Sequence, residues 1–331
     1  MGKESTCAAA ALVAPGALVA LAVLAILAGT APGASAAPTC ADFLKITTLP
    51  RIAALGEASV ALSDATWAGA NPANLVAVDG SLITFSHTSW FEDVSLQALS
   101  IGTSSPRHGF GLSLAGLHTA PLDEYDSEDV YLGEFRYYDF LLEATYARRL
   151  AASLSAGASF KTLYEKIGWD SATGFALDLG LAWSREVAAT RGTLSAGVTM
   201  RNLGTTMGYL DEEYDLPLVW QGGLAYRPAW LPGQVDAVVA TDYRWTREGE
   251  RGLLFGAEVG IAGMVTLRAG GKSVDGVDRD GGDVTAGVGF KIRHLAIDYA
   301  YADFGDRLGG THRLSVGLTT GSIFPSPEAG S

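Results

Sequence analysis

The stretch YDFLLEATY, residues 138–146, decides the fold class of this chain. Every second residue, beginning with Tyr138, is apolar or small, whereas Asp139, Glu143 and Thr145 stand at positions between them. Successive side chains of a β-strand point to opposite faces, so the segment predicts a strand with one apolar and one largely polar face. That alternation is typical of a strand that crosses a membrane with lipid on one side and a polar lumen on the other.

The same period of two recurs fourteen times between residues 81 and 320. The segments are about ten residues long, which is the length that a tilted strand needs to cross a bilayer. An even number of strands is typical of single-chain bacterial barrels. We therefore predict an all-β fold, a 14-stranded antiparallel transmembrane β-barrel over residues 81–320, followed by a C-terminal tail over 321–331. The predicted strands are 81–90, 94–102, 108–118, 136–147, 152–164, 173–184, 192–203, 218–227, 234–246, 252–260, 264–273, 282–292, 295–303 and 312–320.

The connections between these strands alternate in length. Those after even-numbered strands are mostly short, whereas those after odd-numbered strands, such as 119–135, 165–172 and 204–217, are longer and polar. Outer-membrane barrels have short periplasmic turns and long extracellular loops, so we expect both ends of the barrel in the periplasm. A soluble two-sheet sandwich is the alternative fold, and it gives no reason for this alternation.

Residues 1–36 have the features of a signal peptide. Residues 17–28 form an apolar core that suits a signal sequence and is short for a membrane-spanning helix. Ala34-Ser35-Ala36 supplies the small residues that signal peptidase requires, so we predict cleavage after Ala36. The weakly charged N-terminus leaves an uncleaved anchor as the alternative. A signal followed by a barrel predicts the outer membrane of a Gram-negative-type (diderm) bacterium.

Residues 37–80 do not alternate, and we predict that they form a small N-terminal hatch or plug. Asn71 reads as the N-cap of a short helix, with Pro72 at its first position. The lumen of a 14-stranded barrel is too wide for its own side chains to fill, so a compact segment is suited to close it. A capped turn leading into the barrel is the simpler alternative.

Two groups of residues, one near each end of the mature chain, carry a family resemblance. The first includes Phe43-Leu44-Lys45-Ile46, Arg51-Ile52-Ala53-Ala54-Leu55-Gly56 and Asn71-Pro72-Ala73-Asn74-Leu75; the second includes Asp298-Tyr299, Gly305 and Thr311-His312-Arg313. With these residues the chain resembles the PorV/PorQ family of outer-membrane proteins, which is related in fold to the FadL long-chain fatty acid transporters. The resemblance implies a 14-stranded barrel with Phe43, Gly56, Asn71, Pro72 and Ala73 in its hatch and Asp298, Tyr299, Gly305, Thr311, His312 and Arg313 in its closing hairpin. The chain departs from the family at Glu57, where a second glycine is usual.

No motif in the sequence predicts catalysis, a metal site or a bound cofactor. His87 and Ser89 share a strand face, as a base and a nucleophile could, but a period of two places any such pair on one face. The acidic loop between Asp275 and Asp283 lacks the spacing and the final Glu of a calcium loop. The net charge of −13 argues against a nucleic-acid partner, because contact with phosphates needs a basic face. We expect a non-enzymatic protein surrounded by outer-membrane lipid.

Two function classes follow from these expectations. The resemblance to PorV implies a component of protein export, a type IX secretion-like cargo shuttle that would bind secreted cargo proteins or secretion-system subunits. The alternative is FadL-like transport, in which a hydrophobic small molecule passes through the lumen. A purely structural barrel is a third possibility. The motifs at both ends of the chain favour the export component.

Overall fold

The barrel is closed and antiparallel. The computed structural model describes residues 38–64, 66–91, 93–189, 191–209, 212–275, 284–304 and 309–321. Fourteen strands form one closed barrel, which is sealed where the first strand, Ser81–Ser89, pairs with the last, Gly310–Thr320. The prediction of 14 strands is confirmed. The barrel strands are β1 (Ser81–Ser89), β2 (Ser95–Ser104), β3 (His108–His118), β6 (Tyr137–Ala151), β7 (Leu154–Ile167), β8 (Asp170–Val187), β9 (Gly192–Gly204), β12 (Val219–Pro228), β13 (Val235–Thr246), β14 (Arg251–Ile261), β15 (Val265–Asp275), β16 (Val284–Ile292), β17 (Leu295–Asp303) and β18 (Gly310–Thr320).

The barrel wall has an apolar outer face and a mixed inner face. On β14, Leu253, Phe255 and Val259 are exposed, and Leu254 and Glu258 between them are buried. The other barrel strands repeat this alternation, so large apolar side chains are exposed around the whole barrel. An apolar belt with polar groups turned inward is the surface expected of a barrel in lipid.

The long loops lie at the rim opposite the chain ends of the barrel, and two of them carry small hairpins. These are β4 (Leu122–Tyr125) with β5 (Tyr131–Phe135), and β10 (Met207–Tyr209) with β11 (Glu212–Tyr214). The predicted loop over 165–172 is wrong, because β7 and β8 continue pairing until Ile167 lies opposite Asp170. Only Gly168, in a left-handed conformation, and the exposed Trp169 connect these strands. Glu165, Lys166, Asp170 and Ser171 are polar, so the apolar alternation that marks the strand is lost there.

Residues 38–80, here called the lumen segment, fill part of the barrel interior. The segment contains three short helical pieces, Asp42–Lys45, Pro50–Ala54 and Pro72–Ala77. It contacts strands on opposite sides of the closed wall, including β3, β8, β9, β14 and β16, which a compact segment can do only from inside. Among the described residues, no helix combines the length and apolarity needed to span a membrane.

Candidate functional site

Glycines in the barrel wall let the lumen segment approach the wall backbone closely. A Cβ atom on Gly197 would lie 2.0 Å from the carbonyl oxygen of Val60, and one on Gly256 would lie 2.5 Å from that of Leu55. Neither distance is possible for a real side chain, so any larger residue would displace the segment. Part of the chain's high glycine content, 41 residues, therefore serves the fit between wall and segment.

Asn71 is fully buried and links three parts of the interior. Its side-chain oxygen accepts a hydrogen bond from the N–H of Ala73 at 3.0 Å, which caps the helix Pro72–Ala77. Its side-chain N–H groups donate to the carbonyl oxygens of Val60, at 2.8 Å, and of Leu181 in β8, at 3.0 Å. Asn71 thus joins the turn before it, the helix after it and the barrel wall. Pro72 and Ala73 are buried beside it.

Gly56 and Glu57 form a tight corner that is held by charge. Both residues have positive φ angles, 61° and 66°, and a Cβ on Gly56 would lie 2.4 Å from the carbonyl oxygen of Gly271. The Glu57 carboxylate pairs with Lys272 at 2.5 Å and with Arg244. Burial alone would raise the pKa of Glu57, but these two cations hold that pKa well below its ordinary value. Glu57 is thus an ionic anchor between the lumen segment and the barrel wall.

A second ionic anchor lies around Arg51. Its guanidinium bonds Glu258 and Asp64, each at 2.8 Å. Glu258 also accepts from Arg268 at 2.6 Å, and Arg268 reaches Asp298 at 2.5 Å. Burial would raise the pKa of Asp64, but Arg51 holds it well below its ordinary value. The network joins the lumen segment to three barrel strands.

The residues of the predicted closing hairpin divide between the two faces of the wall. Inside, Asp298 belongs to the Arg51 network, and the buried Arg313 donates to the carbonyl oxygen of Thr47 at 3.0 Å and to the Thr311 hydroxyl at 2.8 Å. On the outer face, the Tyr299 hydroxyl and His312 Nδ1 are 2.7 Å apart. Gly305 lies outside the described residues. The inward members hold the lumen segment, and the outward pair belongs to the lipid-facing surface.

A cavity of about 480 Å³ lies between the lumen segment and the rim that carries the long loops. Its upper wall is apolar and includes Phe43, Trp90, Phe91, Leu117 and Phe304. Its deeper wall is polar and includes Ser100, Ser113, Glu57 and Arg201. Arg201 donates to the carbonyl oxygen of Gly69 at 2.6 Å, so this part of the floor is tied to the lumen segment. Phe43, a predicted hatch residue, is thus a wall residue of the cavity.

Two acidic residues near this cavity were not singled out by the sequence. Asp139 lines the cavity and is completely buried, and Glu165 lies directly opposite it on the neighbouring strand. The alternation of residues 138–146 places Asp139 on the inner face, but only the register with β7 shows that a second carboxylate stands beside it. Arg201 and Lys272 were missed in the same way, because their partners are distant in sequence.

The geometry offers little for catalysis. His87 and Ser89 lie on the exposed face of β1, and His87 Nδ1 contacts the side chain of Gln97 at 3.1 Å. The buried Cys40 has a pKa raised to about 11, by burial first and by Glu165 second, so it is a poor nucleophile. Within the described ranges, no group of three or more acidic, His or Cys side chains is arranged to hold a metal ion.

Comparison with known proteins gives the family and supports the fold. A family model described as "Uncharacterised protein family (UPF0164)" matches residues 33–214, more than half of the chain. No curated protein sequence matches. The CymD monoaromatic hydrocarbon channel is similar in structure, with a TM-score of 0.61 at 10% identity over 84% of this chain and 98% of that one. The Pseudomonas putida toluene transporter TodX has a TM-score of 0.56 at 12% identity, over 80% and 96% respectively. At these identities the likeness establishes the fold alone.

Proposed function

The chain belongs to the UPF0164 family, and we propose that it carries hydrophobic small molecules across the outer membrane. The observation that carries this proposal is the cavity of about 480 Å³ beside the long-loop rim, which has an apolar upper wall and the lumen segment beneath it. Sites for small apolar ligands are concave, mostly apolar and of this size. In this proposal the lumen segment acts as a hatch that the ligand must pass.

Two solved structures with the same fold and the outer surface of the barrel support the same function. CymD and TodX are described as a hydrocarbon channel and a toluene transporter, and both share this fold. The apolar belt fits a bilayer, and the predicted signal peptide over residues 1–36, which lies outside the described residues, fits export to the outer membrane. The cavity gives no comparable support to the role in protein export that the sequence motifs favour.

Filling the cavity tests the proposal. Ala98 lines the cavity, so Ala98→Phe should obstruct it and lower the rate of toluene uptake several-fold in cells or proteoliposomes. Ala144 is exposed on the outer face, and Ala144→Phe adds the same ring towards lipid, so uptake should be unchanged. Equal uptake by both variants and by vesicles without the protein would contradict transport.

A component of protein export, resembling PorV, is the second candidate function. One observation favours it: Val130, Tyr131 and Leu132 in the β4–β5 hairpin are all more than half exposed at the long-loop rim. Exposed apolar side chains grouped in this way often mark a protein-binding surface. Replacing residues 122–135 with a Gly-Ser linker should then remove a co-purifying protein while toluene uptake persists. If purification from native membranes yields no such protein before the replacement, the export role fails.

A further inference from the structure

Asp139 is a fully buried carboxylate on the inner face of β6. Its side chain is 0% exposed, and neither carboxylate oxygen has a hydrogen-bond partner among the described residues. The described part of the chain also contains no ion pair to Asp139 or to Glu165. A buried carboxylate without a partner is unfavourable when ionised, so a cation that enters the cavity would stabilise its charged form.

The surroundings of Asp139 are negative and apolar. Glu165, its cross-strand neighbour, already accepts from the Tyr137 hydroxyl at 2.5 Å and from the backbone N–H of Ala41 at 3.2 Å. Leu117, directly opposite Asp139 on the other neighbouring strand, is buried. The two oxygens of Asp139 are therefore the open acceptors of the pair, and Asp139 lines the cavity together with Leu117 and Leu141.

The approach to the cavity carries charge of the same sign. Glu248 and Glu250 line the cavity where the loop after β13 meets it, and the β4–β5 hairpin nearby carries Asp123, Glu124, Asp126, Glu128 and Asp129. Lys45, one of five basic residues that line the cavity, is already paired with Asp42 and Glu248. Acidic loops around an opening raise the local concentration of cations and slow the entry of anions.

We propose that the cavity binds cationic amphiphiles, molecules with an ammonium group on an apolar body, and that Asp139 is the counter-ion of the ammonium. The inference rests on the proposed transport of small molecules and names their chemical class. An ammonium supplies the hydrogen-bond donors that the Asp139 oxygens lack, and the apolar body fits against Phe43 and Leu117. A bare calcium ion would require six to eight oxygen ligands, more than Asp139 and the engaged Glu165 provide.

Three probes with one ring and different charge test the proposal: benzylammonium, toluene and benzoate. Binding to the purified full-length protein at pH 7 is measured through the fluorescence of Trp90, which lines the cavity, and checked by calorimetry. Benzylammonium should bind most tightly and benzoate most weakly. Asp139→Asn should weaken benzylammonium about tenfold or more, the effect of losing a hydrogen bond to a charged group, and leave toluene unchanged.

The control variant is Asp236→Asn at the opposite rim, which removes the same charge and should change none of the affinities. The heat-dependent gel shift of the barrel confirms that each variant is folded, and the charge preference of the unaltered protein is informative without any variant. Equal affinity for the three probes, or an Asp139→Asn variant that retains benzylammonium, would overturn the counter-ion role while toluene binding still supports transport. Benzylammonium binding without uptake of any probe would retain the site and reject transport.

Discussion

Glu57, which is largely buried, and Asp139, which is fully buried, are carboxylates inside the same barrel with opposite surroundings. Glu57 is held between Arg244 and Lys272, and it ties the lumen segment to the wall. Asp139 has no partner among the described residues and faces a cavity. The ion pairs of Glu57 hold the lumen segment in place, and the unpaired Asp139 marks the site that we propose for the ligand. The same residue chemistry thus serves attachment in one region and recognition in the other.

Removing the two charges should have opposite effects on stability. Glu57→Gln leaves the largely buried Arg244 and Lys272 without their anion, and breaking a fully buried pair costs about 3 kcal/mol, which is an upper bound here. Asp139→Asn removes an unpaired buried charge and should leave thermal stability unchanged or raise it. Limited proteolysis of the lumen segment and thermal unfolding in detergent measure both effects. Comparable destabilisation by the two variants would remove the distinction between the regions.

Disturbing the close packing around Gly256 should have the next largest effect on the attachment of the lumen segment. Gly256→Ala would place a Cβ 2.5 Å from a backbone oxygen of Leu55, so the segment must shift at a cost of about 1–3 kcal/mol. Gly317→Ala is the matched control, because its Cβ would find no atom closer than 3.7 Å. Cleavage of the lumen segment by protease should rise only in the first variant. If both glycines tolerate alanine equally, the segment is not held by close contact with the wall.

Loss of the cap at Asn71 should have a smaller effect. Asn71→Ala removes the capping bond from Ala73 and the two bonds that Asn71 donates. The loss of the cap alone typically costs about 1 kcal/mol. The lumen segment should loosen, and permeability to small solutes should rise, while the heat-dependent gel shift of the barrel persists. Failure of the variant to form a barrel at all would make Asn71 an assembly element rather than part of a hatch.

Lowering the pH within the physiological range should have the smallest effect on the stability of the lumen segment. Because the pKa of folded Glu57 is depressed, its contribution is complete above the ordinary glutamate pKa of about 4.3 and is lost only as the pH falls below it towards the folded value. Protease resistance of the lumen segment should therefore be constant from pH 7 to pH 5 and fall in stronger acid. In Glu57→Gln this part of the acid response should be absent. A loss of protection already near pH 6 would point to other titrating groups.

The wall of the barrel was predictable because a period of two is a local signal. Strands such as 108–118 and 295–303 were placed at their observed bounds from alternation alone. The signal failed at 165–172, where polar residues on both sides of the β7–β8 turn interrupt the alternation although the strands stay paired. The prediction thus depended on the apolar residues of the strand more than on its backbone pairing.

The candidate site was only partly predictable, because its contacts join residues far apart in sequence. Asn71 could be recognised as a cap from its neighbour Pro72, but not its bond to Leu181 across 110 positions. The inward position of Asp139 followed from the alternation, whereas its lack of a partner depends on every strand that surrounds it. No local pattern carries that information.

The close contact at the wall glycines also constrains how this lineage can diverge. Gly157, Gly197 and Gly256 face main-chain atoms of Pro72, Val60 and Leu55, so the wall fits the path of the segment's backbone rather than its side chains. A single inserted or deleted residue between positions 55 and 72 would place the wrong atoms against the wall. Homologous chains should accordingly keep the length of the segment fixed.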